Sequence, residues 1–156
     1  MSELIVGAEA PDFTLATDSE GSVRLSDLRG RTIVIYFYPK ADTPGCTTEA
    51  LDFSALKSQF EAADATVIAI SPDACAKHAR FREKHDLTIT LASDEDHAVA
   101  EAYGVWVEKK NYGRTYMGVE RSTFLIGSDG RIAKIWRKVR VKEHAEAVLQ
   151  AVKDLG

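Results

Sequence analysis

The run Thr32-Ile33-Val34-Ile35-Tyr36-Phe37-Tyr38 is continuously apolar, β-branched and aromatic, and Pro39 stops it. Such a run suits a central strand buried on both faces. A second buried strand follows at Ala65–Ile70. Between them, Leu51, Phe53, Ala55, Leu56 and Phe60 recur at helical spacing, which predicts a helix over Cys46–Phe60. A β-α-β unit has parallel strands, so the carboxyl ends of both strands should share one sheet edge. Ligands in open α/β sheets bind at that edge. Both cysteines of the chain, Cys46 and Cys75, fall just beyond those two strand ends.

The rest of the chain fits the same plan. Phe13–Thr17 and Ser22–Leu25 read as short strands joined by a polar turn around Asp18–Gly21, and Ser26–Gly30 ends on a glycine. Asp73–His85 reads as an amphipathic helix carrying Ala76, Ala79 and Phe81, and Ile89–Leu91 as a short strand. Asp94 is a candidate N-cap for a helix through Tyr103, which Gly104 ends. Thr123–Ile126 and Ile132–Trp136 flank Gly127-Ser128-Asp129-Gly130, a hairpin signal. Val141–Leu155 predicts a terminal helix with Ala145, Val148, Leu149 and Val152 on one face. Alternating strands and helices, then a hairpin and a helix, imply an α/β fold.

A length of 156 residues predicts one domain, 1–156, with a full-sized core. The net charge of −4, with both signs mixed along the chain, gives no field to attract nucleic acid or an anionic membrane. No apolar run is long enough to span a bilayer. Met1–Gly7 lacks the basic start and apolar stretch of a signal peptide, so a cytoplasmic location is expected. No C-x-x-C motif is present, which argues against a zinc ribbon or a thioredoxin-type dithiol. His78, His85, His97 and His144 lie on predicted helices without ligand spacing, so surface or capping roles are expected and no metal. Asp94-Glu95-Asp96 reads as a helix-start charge cluster. Trp106, Tyr112, Tyr116 and Trp136 are too dispersed for a base-stacking platform, and most of them read as core or pocket-rim residues.

The segment Tyr38-Pro39-Lys40-Ala41-Asp42-Thr43-Pro44-Gly45-Cys46-Thr47-Thr48-Glu49 carries the chemistry. It runs from a strand through a stiff polar loop to a cysteine where a helix begins. A helix N-terminus offers unpaired N–H groups and the positive end of the macrodipole, both of which favour a thiolate. The thiolate is the nucleophilic form of cysteine. Pro44 and Gly45 allow close approach of backbone to a small ligand. The competing reading of these residues alone is a turn that happens to contain a cysteine.

The pattern Pro39-x-x-x-Thr43-x-x-Cys46 resembles the active-site signature of peroxiredoxins. Gly7–Leu15, Ser26–Gly30, Tyr36–Glu49, Tyr103–Glu108 and Tyr112–Gly130 resemble the bacterioferritin-comigratory, or peroxiredoxin Q, subfamily. The resemblance spans essentially the whole chain. It implies a thioredoxin-like fold with a central mixed sheet flanked by helices, and a peroxidase that needs no cofactor. Cys46 would attack hydrogen peroxide or an organic hydroperoxide and become a sulfenic acid. Thr43 would hydrogen-bond the thiolate or the peroxide oxygens, and Pro39 would shield the pocket. Arg121 matches the family arginine beside the sulfur, where its charge would favour the thiolate and the departing oxygen. Backbone N–H groups of Gly45 and Cys46 would complete the donors. Glu49, one turn past Cys46, would hold Arg121 in place or else be a solvated helix residue; Lys40 reads as a surface charge. Thioredoxin or a similar thiol would be the reductant, and the subfamily favours a monomer or weak dimer.

The chain departs from the subfamily at the second cysteine. Many members carry a resolving cysteine five residues after the first, where this chain has Leu51. Others place it in the next helix, near Phe81 or Arg82 here. Cys75, 29 positions after Cys46, is the candidate that remains. Reaching Cys46 would require local unwinding, because a disulfide needs Cα atoms within about 7 Å. A one-cysteine cycle reduced by an external thiol is the alternative. A thiol–disulfide oxidoreductase and a non-catalytic redox sensor are the rival functions; the first would normally want C-x-x-C.

Overall fold

The computed structural model describes residues 4–18 and 21–155. Residues 1–3 of the expected leaderless start, and residues 19–20 of the expected polar turn, lie outside them. Nine strands are described: β1 (Thr14–Thr17), β2 (Gly21–Arg24), β3 (Thr32–Phe37), β4 (Ala65–Ser71), β5 (Thr90–Ser93), β6 (Trp106–Asn111), β7 (Arg114–Val119), β8 (Ser122–Ile126) and β9 (Ile132–Trp136). The described α-helices are α1 (Pro44–Ala55), α2 (Lys57–Ala62), α3 (Cys75–His85), α4 (Ala98–Ala102) and α5 (His144–Leu155), and Leu25–Leu28 forms a short 3-10 helix.

Seven strands form one mixed sheet in the order β2-β1-β5-β4-β3-β8-β9, with β6 and β7 as a separate hairpin. β3 is central, parallel to β4 and antiparallel to β8. Its residues alternate between two cores, which is why the whole run is apolar. Val34 and Tyr36 join Phe53, Phe60, Val148 and Val152 under α1, α2 and α5. Ile33, Ile35 and Phe37 join Tyr103, Val105 and Phe124 on the other face with α4. Phe53 stacks on Tyr36 with ring centroids 4.6 Å apart, and burying such a ring contributes about 2–3 kcal/mol.

The register fixes the working edge. Phe37 pairs with Ile70 on β4 and with Ser122 on β8. Because β8 runs antiparallel to β3, its first residues lie beside the last residues of β3. The loop to α1, the loop to α3 and the approach to β8 therefore meet at one place. This is the edge that the parallel pairing predicts.

Four expectations need correction. The helix expected over Cys46–Phe60 is two helices broken at Leu56, whose N–H bonds both Asp52 and Phe53 carbonyls; nothing in the sequence marks that break. Asp94 is not the N-cap residue of α4, a place taken by His97 at φ 52. Its carboxylate instead reaches forward to accept from the N–H groups of Val99 and Ala100, at 3.1 and 2.8 Å. His78 and His144 are not surface groups but buried ones, held by hydroxyls of Tyr38, Ser71, Ser93 and Thr123. Tyr112, expected near a core or pocket rim, is 96% exposed at the hairpin tip.

Candidate active site

Cys46 is the third residue of α1 and is 1% exposed. Pro44 begins the helix, where its missing N–H costs nothing and its fixed φ suits the first turn. Thr47 is the first residue to donate along the helix, to the Thr43 carbonyl at 2.8 Å. The N–H groups of Gly45 and Cys46 thus precede the hydrogen-bonded ladder and take no side-chain cap among the described residues.

Arg121 completes the group from the opposite side. It lies one residue before β8, and the β3–β8 register brings it to the end of β3. Its Nη2 donates to Cys46 Sγ at 3.3 Å, and its Nη1 donates to Glu49 Oε1 at 2.6 Å. Glu49 follows Cys46 by three positions, so both face the guanidinium from one side of α1. The planar fork spans carboxylate and sulfur at once, which a lysine ammonium could not do with the same geometry. Gly45 suits this approach, because a Cβ there would stand 3.2 Å from Nη2 and press the guanidinium away by a few tenths of an ångström.

Glu49 is 1% exposed, and its Oε2 has no partner among the described residues. Burial raises its pKa from 4.5 to about 7, against the pull of Arg121. The acid form is therefore the one favoured by folding. Its stabilising contribution is full below about pH 4.5 and is lost as pH rises through about 7. Relative to Glu49→Gln, the wild type should lose up to about 3 kcal/mol of stability between pH 4.5 and 8. Denaturant titrations of the two proteins across that range check the sign; a difference that grows in the other direction contradicts the assignment.

Thr43 is the N-cap residue of α1 but makes no side-chain cap. Its hydroxyl donates to the Lys40 carbonyl at 2.8 Å rather than to the sulfur. Pro39 is half-buried at the head of the same loop, and Lys40 is exposed. Cys75 is the first residue of α3, half-buried, and both thiols are free. The structure thus brings Gly45, Cys46, Glu49 and Arg121 into contact. It places Pro39, Thr43 and Cys75 on the same edge without a direct bond to the sulfur.

Three neighbours escape the sequence reading. The Tyr36 hydroxyl is fully buried with no partner among the described residues, and burial, then the Glu49 charge, keeps it protonated. His144 bonds Thr123 Oγ1 at 2.8 Å, and burial followed by the Arg121 charge pushes its pKa down to about 4. Lys109, on β6, is half-buried, and burial and Arg121 together lower its pKa while the Cys46 charge opposes them. Lys109 was undetectable without the β6–β7 hairpin, Tyr36 reads as one more residue of an apolar strand, and His144 reads as a surface or capping group. Among the described residues, no three His, Cys, Asp or Glu side chains gather as a metal site.

Residues 6–135 match the AhpC/TSA family. Peroxiredoxin Bcp of Bacillus subtilis is 52% identical over 97% of this chain and 96% of its own length. A mutant of Xylella fastidiosa PrxQ superposes with a TM-score of 0.93 at 39% identity, covering 99% of this chain and 98% of that one. The Xanthomonas campestris bacterioferritin comigratory protein, studied for its alkyl peroxide reduction activity, superposes with a TM-score of 0.87 at 42% identity. That match covers 91% of this chain and 90% of the other. Sequence, thioredoxin-like fold and sulfur-centred site agree: the chain belongs to the AhpC/TSA family and is a peroxiredoxin of the Bcp and Q group.

Proposed function

We propose that the chain reduces hydrogen peroxide and organic hydroperoxides through Cys46, with Cys75 as the resolving thiol and thioredoxin or a similar dithiol protein as reductant. The observation that carries the reading is the Arg121 fork, which touches Cys46 Sγ and Glu49 Oε1 at the N-terminal turn of α1. The Cys46 thiolate attacks one peroxide oxygen, an S–O bond forms as the O–O bond breaks, and the other oxygen leaves as hydroxide or alkoxide. Arg121 and the N–H groups of Gly45 and Cys46 favour the charge first on sulfur and then on the departing oxygen. Thr43 turns its hydroxyl from the Lys40 carbonyl to the peroxide, and Pro39 excludes water from the sulfur.

Cys75 then displaces the sulfenic oxygen of Cys46. An S–S bond forms, the S–O bond breaks and the oxygen leaves as water. A dithiol reductant returns both cysteines to thiols. The one-cysteine cycle and the redox sensor are distinguished by one experiment. After treatment with one equivalent of peroxide, non-reducing peptide mass analysis should find a Cys46–Cys75 linkage. Cys75→Ser should still consume one peroxide per chain, while its steady turnover with thioredoxin falls roughly 10-fold or more. No linkage in the wild type, with turnover kept in Cys75→Ser, assigns resolution to an external thiol. One turnover and no more, whatever the reductant, makes the chain a sensor.

A net charge of −4 and the lack of any described helix long and apolar enough to cross a membrane support a cytoplasmic protein acting without nucleic acid or membrane. We place it as a monomer or weak dimer of one domain.

A further inference from the structure

The loop that presents Cys46 is fastened to the helix that carries Cys75, and Asp73 lies at the join. Ala41, midway along Pro39–Thr43, donates its N–H to Asp73 Oδ2 at 2.7 Å. The same oxygen accepts from Ser71 Oγ at 2.7 Å, at the end of β4. Asp73 Oδ1 pairs with Lys77 Nζ at 3.2 Å, in the first turn of α3, and the Asp73 side chain is only 9% exposed. One carboxylate therefore ties together the Cys46 loop, the end of a central strand and the start of the Cys75 helix. Burial alone would raise its pKa, but the bonds from Ser71, Ala41 and Lys77 hold it below the ordinary range.

The join has a rigid backing. His78, fully buried in α3, places Nε2 2.8 Å from both Ser71 Oγ and the Tyr38 hydroxyl, and Nδ1 3.1 Å from Ser93 Oγ. Asp42, at φ 62, grips the far end of α3 through Lys84 Nζ at 2.8 Å and His85 Nε2 at 2.9 Å. Those last contacts are exposed and contribute little. Asp73 is the protected contact, and the one that holds the two cysteine-bearing segments at their N-terminal ends. A bond between Cys46 and Cys75 needs both helix starts to loosen, and Asp73 fastens the backbone just before each.

We propose that Asp73 is a positioning residue that acts oppositely on the two halves of the cycle: it holds the Cys46 loop in shape for attack on peroxide and restrains the unwinding by which Cys75 reaches the oxidised sulfur. This rests on the reading of Cys75 as the resolving thiol. Freed from Asp73, the Ala41 N–H turns to water and the loop samples shapes in which Thr43 and the α1 N-terminus no longer converge on the sulfur. The first turn of α3 also loses Lys77 as an anchor, so Cys75 becomes available sooner.

The test is a rapid-mixing, alkylation-quench experiment on wild type, Asp73→Asn and Asp73→Ala with hydrogen peroxide, followed by non-reducing mass analysis. It reads separately the loss of the Cys46 thiol and the conversion of its sulfenic acid to the Cys46–Cys75 disulfide. Asp73→Ala should slow the first roughly 10-fold, the size expected for losing a hydrogen bond to a charged group, and accelerate the second roughly 3-fold or more. Asp73→Asn, which keeps the shape and can accept one N–H, should fall between on both counts and guards against misfolding of the alanine variant. Less Cys46 should then reach the sulfinic state at high peroxide in either variant. A merely structural role would slow both steps or neither, and either result overturns the proposal. A wild type that never forms the disulfide removes the Cys75 reading itself, and this inference with it.

Discussion

Cys46→Ser is expected to lower peroxide consumption by at least about 1,000-fold, because a serine hydroxyl is not ionised near neutral pH and oxygen is a poor nucleophile toward peroxide oxygen. The substitution should leave the fold intact. Cys46 is buried, but serine is nearly the same size and its oxygen can accept the Nη2 hydrogen bond that Sγ accepts now. Arg121 and Glu49 would keep each other, so no buried charge is left alone. A thermal melt close to wild type, together with loss of activity in a coupled thioredoxin assay, is the expected pair of results. Consumption at the wild-type rate would show that Cys75, or no cysteine, performs the reaction.

Arg121→Met should cost about 100- to 1,000-fold in kcat/KM, the effect of removing one oriented donor from a site where negative charge moves. Methionine keeps an unbranched stem of similar reach, so the loss reports the guanidinium and not a cavity. The variant strands Glu49 with both oxygens unpaired, and that carboxyl will take up a proton rather than remain a lone buried charge. Arg121→Lys keeps the charge but offers one ammonium where two separate nitrogens now serve Cys46 and Glu49. It should recover no more than about 10-fold of the loss. Activity near wild type in Arg121→Lys would mean that charge alone matters, and that the fork holding Glu49 and the sulfur together does not.

How far the site could be read from sequence follows from the physics of each part. Cys46 was legible because strand, stop, stiff loop and helix start occur in consecutive residues, and each leaves a local signature. Arg121 was reached only by resemblance, since it meets Cys46 through the pairing of β3 with β8, a contact across 75 positions. Asp73 and His78 left no signal, because a hydrogen-bond network inside a fold has no sequence period. The hairpin of β6 and β7 was missed for another reason. Its strands are mostly solvent-facing, with no clean alternation, and its turn is carried by Tyr112 and Gly113 at φ 53 and 77. Both central residues of that turn are left-handed, the arrangement that matches strand twist in a two-residue loop. Asn111-Tyr112-Gly113 was the available clue, weakened by a bulky residue where glycine or asparagine is usual.

Transfer of a peroxide oxygen to Cys46 leaves a sulfenic acid that can be trapped. Cys75→Ser, mixed with one equivalent of hydrogen peroxide in the presence of dimedone and analysed by peptide mass, should carry the sulfenic acid adduct on Cys46 alone and in step with peroxide loss. Peroxide consumed while Cys46 stays unmodified would mean that the oxygen goes elsewhere and that Cys46 is not the attacking group.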